Sequence, residues 1–263
     1  MNRFGRRSFV IALAVTAAAA LIPAPVGGAG TPAIRAARGP FSAEPNLHEC
    51  LEPVPEAASV SGVTDDGQTI TLDVLVLLDG ISRSRGGDVM ETAARAYRPL
   101  DIDLQTTFRR VRFRNSGEYH EMERAALEAV GGKRPRRFDV VYVMTAKDIH
   151  SQGDYSIAGF AFCIGGVRDP RFAFAVGEGL SPYEAALGDP TFSAKIAAHE
   201  LGHLLGAHHH YGNCAEGDRS TEGGGEPSFC TLMWTVYVRF MSLNFGTLEA
   251  AVVRGHAVQF AAP

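Results

Sequence analysis

A chain of 263 residues, 46% apolar and 21% charged, is long enough to bury a core and has the composition of a globular protein, not of a disordered or fibrous one. Its net charge of −4 becomes −7 once a leading segment with three arginines and no acid is set aside, which leaves 22 Lys and Arg against 29 Asp and Glu. That balance argues against nucleic-acid binding. The one basic cluster, Lys133-Arg134-Pro135-Arg136-Arg137, is short and Pro-interrupted and reads as a solvated loop.

Arg3, Arg6 and Arg7 precede FVIALAVTAAAALI and a Pro/Gly/Ala stretch. A charged start, an apolar middle and small residues after it describe an export signal over residues 1–29, and the run is too short for a comfortable membrane span. The run Arg6-Arg7-Ser8-Phe9-Val10 looks like a twin-arginine signal, which implies a bacterial source and secretion in a folded state. No stable membrane insertion is expected once the segment is cleaved. Residues 30–68 are rich in Pro, Gly, Ala and Ser and read as a linker or short pro-segment.

From Thr69 the pattern becomes periodic. ITLDVLVLLDG reads as a buried strand, DVMETAARAYRPL as a helix stopped by Pro99, and IDLQTTFRRVRF as a second strand. EYHEMERAALEAVGG has helical spacing, and FDVVYVMTA is a third, continuously apolar strand. IAGFAFCIGG and RFAFAVGEG, split by a turn-prone VRDP, read as the last strands, one of them at the sheet edge. SAKIAAHELGHLLG is a helix, GNCAEGDRSTEGGGEPSFC a glycine-rich loop, and LNFGTLEAAVVRGHAVQF a final helical pattern. Alternating strands and helices predict an α/β sandwich on a largely parallel sheet.

Four cysteines remain after export, Cys50, Cys163, Cys214 and Cys230, and an even count favours two disulfides. Cys214 and Cys230 bracket one loop, so Cys214–Cys230 with Cys50–Cys163 is preferred among the three pairings.

The densest chemistry lies in HELGHLLGAHHH. His199 and His203 stand four apart on one helix face, where two imidazoles can meet one ion. Glu200 leaves the helix at a neighbouring angle, free to act as general base without ligating. On a continued helix His209 would lie ~9 Å further along the axis. The chain must therefore fold back, and Gly206 permits it. If the register differs, His208 replaces His209 as third ligand; otherwise His208 and His210 are exposed loop residues.

Together His199, Glu200, His203, Gly206 and His209 spell H-E-x-x-H-x-x-G-x-x-H, with Cys230-Thr231-Leu232-Met233-Trp234 downstream as a Met-turn candidate. In these motifs the chain resembles the metzincin metalloendopeptidases, and within them the reprolysin-like (adamalysin-like) group. It departs from that group in carrying His210 where an Asp usually follows the third ligand. The resemblance implies a catalytic domain over residues 69–263: a mixed, mostly parallel sheet with an antiparallel edge strand, an active-site helix, and a smaller C-terminal subdomain with the Met-turn and a terminal helix. It also implies one catalytic zinc ion on His199, His203 and His209, Glu200 as general base, and Met233 as a hydrophobic floor. A protein or peptide substrate would lie extended along the edge strand near Ala158–Cys163, with a pocket drawn from residues 234–239. A monomer is expected.

Two other readings stay open: a zinc-containing binding module without catalysis, and a zinc hydrolase whose third ligand is Glu216, Glu222 or Glu226. Cys50 either pairs or, as in some metzincins, caps the metal as a pro-segment thiolate. The acidic loop with Glu216, Asp218 and Glu222 lacks EF-hand spacing and reads as a solvated loop, so calcium has no support in the sequence.

Overall fold

β1, Ile70–Asp79, is a ten-residue apolar strand because both its faces are covered. Leu72, Val74, Val76 and Leu78 enter one core, while Leu75 and Leu77 enter a second on the opposite face. The computed structural model describes residues 66–150, 157–181, 184, 189–217, 230–234 and 241–261. The export signal, most of the linker, Cys50, Asp218, Glu222, Glu226 and the pocket residues 235–239 lie outside the described residues.

Among the described residues, five strands form one sheet in the order β2-β1-β3-β5-β4. β2 is Ile102–Val111, β3 Val140–Thr145, β4 Gly159–Ala161 and β5 Phe174–Glu178. β1 pairs in parallel with β2 and β3, and β3 with β5. The edge strand β4 runs antiparallel to β5, with Gly159 opposite Gly177. This is the expected sheet.

Four helices are described in full: α1 Arg83–Ala94, α2 Tyr119–Val130, α3 Phe192–Leu204 and α4 Thr247–Phe260. Residues of α1, α3 and α4 share the first core, and Met122 and Ala126 of α2 line the second. No helix among these residues is long and apolar enough to cross a membrane.

Three elements differ from expectation in extent. α1 starts at Arg83, five residues before Asp88, because Ser82 caps it by accepting from the Arg85 amide at 3.1 Å. Its Gly86 is a packing glycine, not a break, since a Cβ there would meet Leu78 Cδ2 at 2.7 Å. β4 spans three residues where ten looked strand-like, and Gly166–Arg168 form a 3₁₀ turn instead. α4 begins at Thr247, after Gly246.

Candidate metal and catalytic site

All thirteen residues of α3 are buried, including His199, Glu200 and His203. Its N-terminal end is pinned by Lys195, whose ammonium meets Asp189 Oδ2 at 2.8 Å. Its polar middle can lie so close to the sheet because two glycines face it. A Cβ on Gly159 would sit 3.0 Å from Glu200 Cγ and 2.8 Å from Ile196 Cγ2, and one on Gly177 would sit 2.9 Å from the same Ile196 atom. The edge strand thus passes directly beside Glu200.

α3 ends in a Schellman turn. The Gly206 amide donates to His203 O at 2.9 Å and the Ala207 amide to Gly202 O at 3.0 Å, with Gly206 at φ 87°. Glycine is required there twice over, since a Cβ would also lie 2.3 Å from the ring of His256 on α4. The reversed chain then delivers His209, on the 3₁₀ turn His209–Tyr211, back to the helix.

His209 Nε2 lies 3.0 Å from His199 Nε2 and 3.0 Å from His203 Nε2. The other nitrogens of the two helix histidines face main-chain carbonyls. His199 Nδ1 is 2.7 Å from Leu232 O and His203 Nδ1 is 2.7 Å from Ala207 O. Those acceptors hold the proton on Nδ1 and turn the Nε2 lone pairs toward one point. Two nitrogens sharing an ion at 2.0–2.1 Å in tetrahedral geometry stand roughly 3.3 Å apart, so the three histidines fit such an ion. Among the described residues they form the one group of three or more His, Cys, Asp or Glu side chains able to share an ion.

Burial pushes the His199 imidazole down to about 4, opposed by its bond to Leu232 O. Burial first, then its histidine neighbours, holds His203 well below the usual imidazole range, and burial followed by His210 lowers His209. Neutral rings are the form that ligates. Burial alone pushes the carboxyl of Glu200 up to about 8.

The rings of His208 and His210 have centroids 5.0 Å apart, and both meet the Tyr211 ring edge-on. Glu216 is engaged elsewhere, accepting from the Thr247 amide at 2.5 Å. Met233 is fully buried beneath α3, where a Cβ on Gly202 would meet its sulfur at 3.0 Å. Cys214 and Cys230 are joined by a disulfide. Cys163 is also disulfide-bonded, and Cys50, the partner expected for it, lies outside the described residues.

The sequence reading missed the groups that hold the histidines. Main-chain acceptors such as Leu232 O and Ala207 O carry no residue signature. Glu249 is fully buried on α4 and takes the Thr231 hydroxyl at 2.5 Å and the Gly246 amide at 2.9 Å. Its one available signal was a Glu three residues after a helix-starting glycine, the return half of a capping box.

Residues 88–210 match the model of the reprolysin-like metallo-peptidases, family M12B, a stretch running from α1 through the third histidine. The resemblance drawn from the motif is borne out over those residues. Two solved structures are similar: the archaemetzincin of Methanopyrus kandleri, 17% identical over 71% of this chain and 95% of that one with a TM-score of 0.49, and the malonate complex of the archaemetzincin of Archaeoglobus fulgidus, 16% identical over 69% and 99% with a TM-score of 0.41. No curated protein matches this chain.

Proposed function

We propose that this chain is a zinc-dependent endopeptidase, from residues 88–210 that match the reprolysin-like metallo-peptidases, and that it is secreted, from the signal-like sequence of residues 1–29. His199, His203 and His209 hold the ion, and Glu200 moves the proton. The observation that carries this reading is the convergence of three Nε2 atoms, two of them on rings whose Nδ1 atoms are tied to carbonyls. When bound, zinc supplies a divalent charge that acidifies water to a pKa of about 7 and polarises a carbonyl oxygen.

Glu200 stands one residue from the first ligand, on an adjoining angle of α3, beside Gly159. Its buried carboxyl takes the proton of the attacking water and returns it to the leaving amine. A divalent charge beside it would favour the ionised carboxylate, the form that accepts the proton. The substrate chain lies extended on the outer edge of β4, main chain to main chain. Pairing along a sheet edge engages main chain on both sides of the scissile bond, which favours internal bonds. Met233 forms the apolar floor under the histidines.

The test is metal analysis with a casein or peptide-library digest, run with and without a chelator. Glu200→Gln should retain stoichiometric zinc and lose at least 10²–10⁴-fold in turnover, the range of a lost general base. Digestion undiminished after metal stripping, or a Glu200→Gln variant near parental rate, would falsify the reading.

A further inference from the structure

The peptide group between Leu232 and Met233 is held from both sides. Its carbonyl accepts from His199 Nδ1 at 2.7 Å. On the other side its turn is anchored by the carboxylate of Glu249, which has no solvent exposure and takes the Thr231 hydroxyl on Oε1 at 2.5 Å and the Gly246 amide on Oε2 at 2.9 Å. Thr231 is fixed in turn, its hydroxyl accepting from the Asn213 amide at 3.0 Å.

A capping glutamate needs only the Gly246 amide and is ordinarily at the surface. Glu249 is instead drawn into the core, where an ionisable group is costly unless its acceptor sites are filled. The extra donor, the Thr231 hydroxyl, comes from the 231–233 turn. What the burial secures is therefore the placement of that turn, one peptide away from His199.

We propose that Glu249 is a positioning residue for the histidine site, acting through the Leu232–Met233 peptide to orient His199. By holding the Thr231 hydroxyl, the carboxylate fixes the turn and with it the direction of the Leu232 carbonyl. The carbonyl in turn keeps the proton on Nδ1 and presents Nε2 to the ion. The arrangement places a carboxylate behind the His199 imidazole with the 231–233 turn interposed. It rests on the metal-site reading above.

The test uses the full chain, stripped of metal and titrated with Co(II), with far-UV circular dichroism to confirm folding. Glu249→Gln keeps the shape and removes the charge. It should bind Co(II) ten- to a hundredfold more weakly, the usual effect of losing a partner behind a metal ligand, and should change the intensity of the visible cobalt bands. Thr231→Val should weaken binding in the same direction, and Thr231→Ser should restore it. A folded Glu249→Gln protein with parental affinity and spectrum, even at a lower melting temperature, overturns the proposal by leaving only a structural role. If Glu249→Gln does not fold, Thr231→Val decides, parental affinity overturning the proposal and a tenfold loss supporting it. A parent chain that binds no Co(II) refutes the metal-site reading itself, a result distinct from an affinity that Glu249 does not influence.

Discussion

Burial pushes the Glu200 carboxyl up to about 8 and the His199 imidazole down to about 4, so in the metal-free chain both are neutral near pH 6. The two affect stability in opposite directions. Below the ordinary imidazole pKa of about 6.5 the unfolded chain takes up a proton on residue 199 that the folded chain refuses, so stability falls as pH drops toward 4. Above about 4.5 the unfolded chain releases the Glu200 proton that the folded chain keeps, so stability falls as pH rises toward 8. Between pH 6.5 and 8 the Glu200 limb of this pair dominates. The metal-stripped protein should lose about 1–2 kcal/mol across that interval from this residue, and Glu200→Gln should flatten the slope by that amount. Urea midpoints at three pH values for both proteins measure it, and equal slopes would refute the assignment. At this scale the histidine cluster was legible, His199 and His203 from their helical spacing and His209 from the turn that Gly206 permits. Glu249 was not, because a carboxylate on the face shared by Val252, Val253 and His256 reads as an N-terminal cap until its burial is seen.

Elements show the same division. The strands β1 and β3 could be read from their apolar stretches, since burial on both faces leaves few polar positions, and the helix α3 from its length and spacing. The start of α1 could not, because its glycine pair looks like punctuation until Leu78 is seen to occupy the space over Gly86. The contrast between glycines yields a paired prediction. Gly87 is helical, and a methyl added there would meet nothing within 4 Å, so it should tolerate alanine and gain about 0.4–1 kcal/mol. Gly206→Ala should instead cost at least about 1–2 kcal/mol for its left-handed backbone, and more for the contact with His256. It should weaken metal binding too, because His203 and His209 are both placed by that turn. Thermal melts and metal titration of the two variants check this; a neutral Gly206→Ala would mean that the turn has another way to close.

Over the whole molecule the site is assembled from segments far apart in sequence: the β4–β5 edge, the helix α3, the turn at 231–233 and the start of α4. The disulfide Cys214–Cys230, 16 residues apart, ties the strand of chain after His209 to the one entering that turn. Closing a loop of that length is worth about 3 kcal/mol, so a Cys214→Ser, Cys230→Ser double variant should unfold at correspondingly lower denaturant. Unchanged denaturation would show that neighbouring packing alone secures the loop. That the chain threads back through this region was foreseeable from the motif; how the returning segments brace the imidazoles was not, since it depends on main-chain groups. The bracing has a further consequence for ion choice. With Nδ1 of His199 and His203 committed to carbonyls, these rings offer single nitrogen lone pairs. Magnesium and calcium, which seek oxygen, gain little from such a donor set. Among the later first-row metals it discriminates weakly, and copper(II) outcompetes zinc for such donors in the absence of other constraints. Supply at the place of folding, more than the three rings, would then determine which of those ions occupies the site.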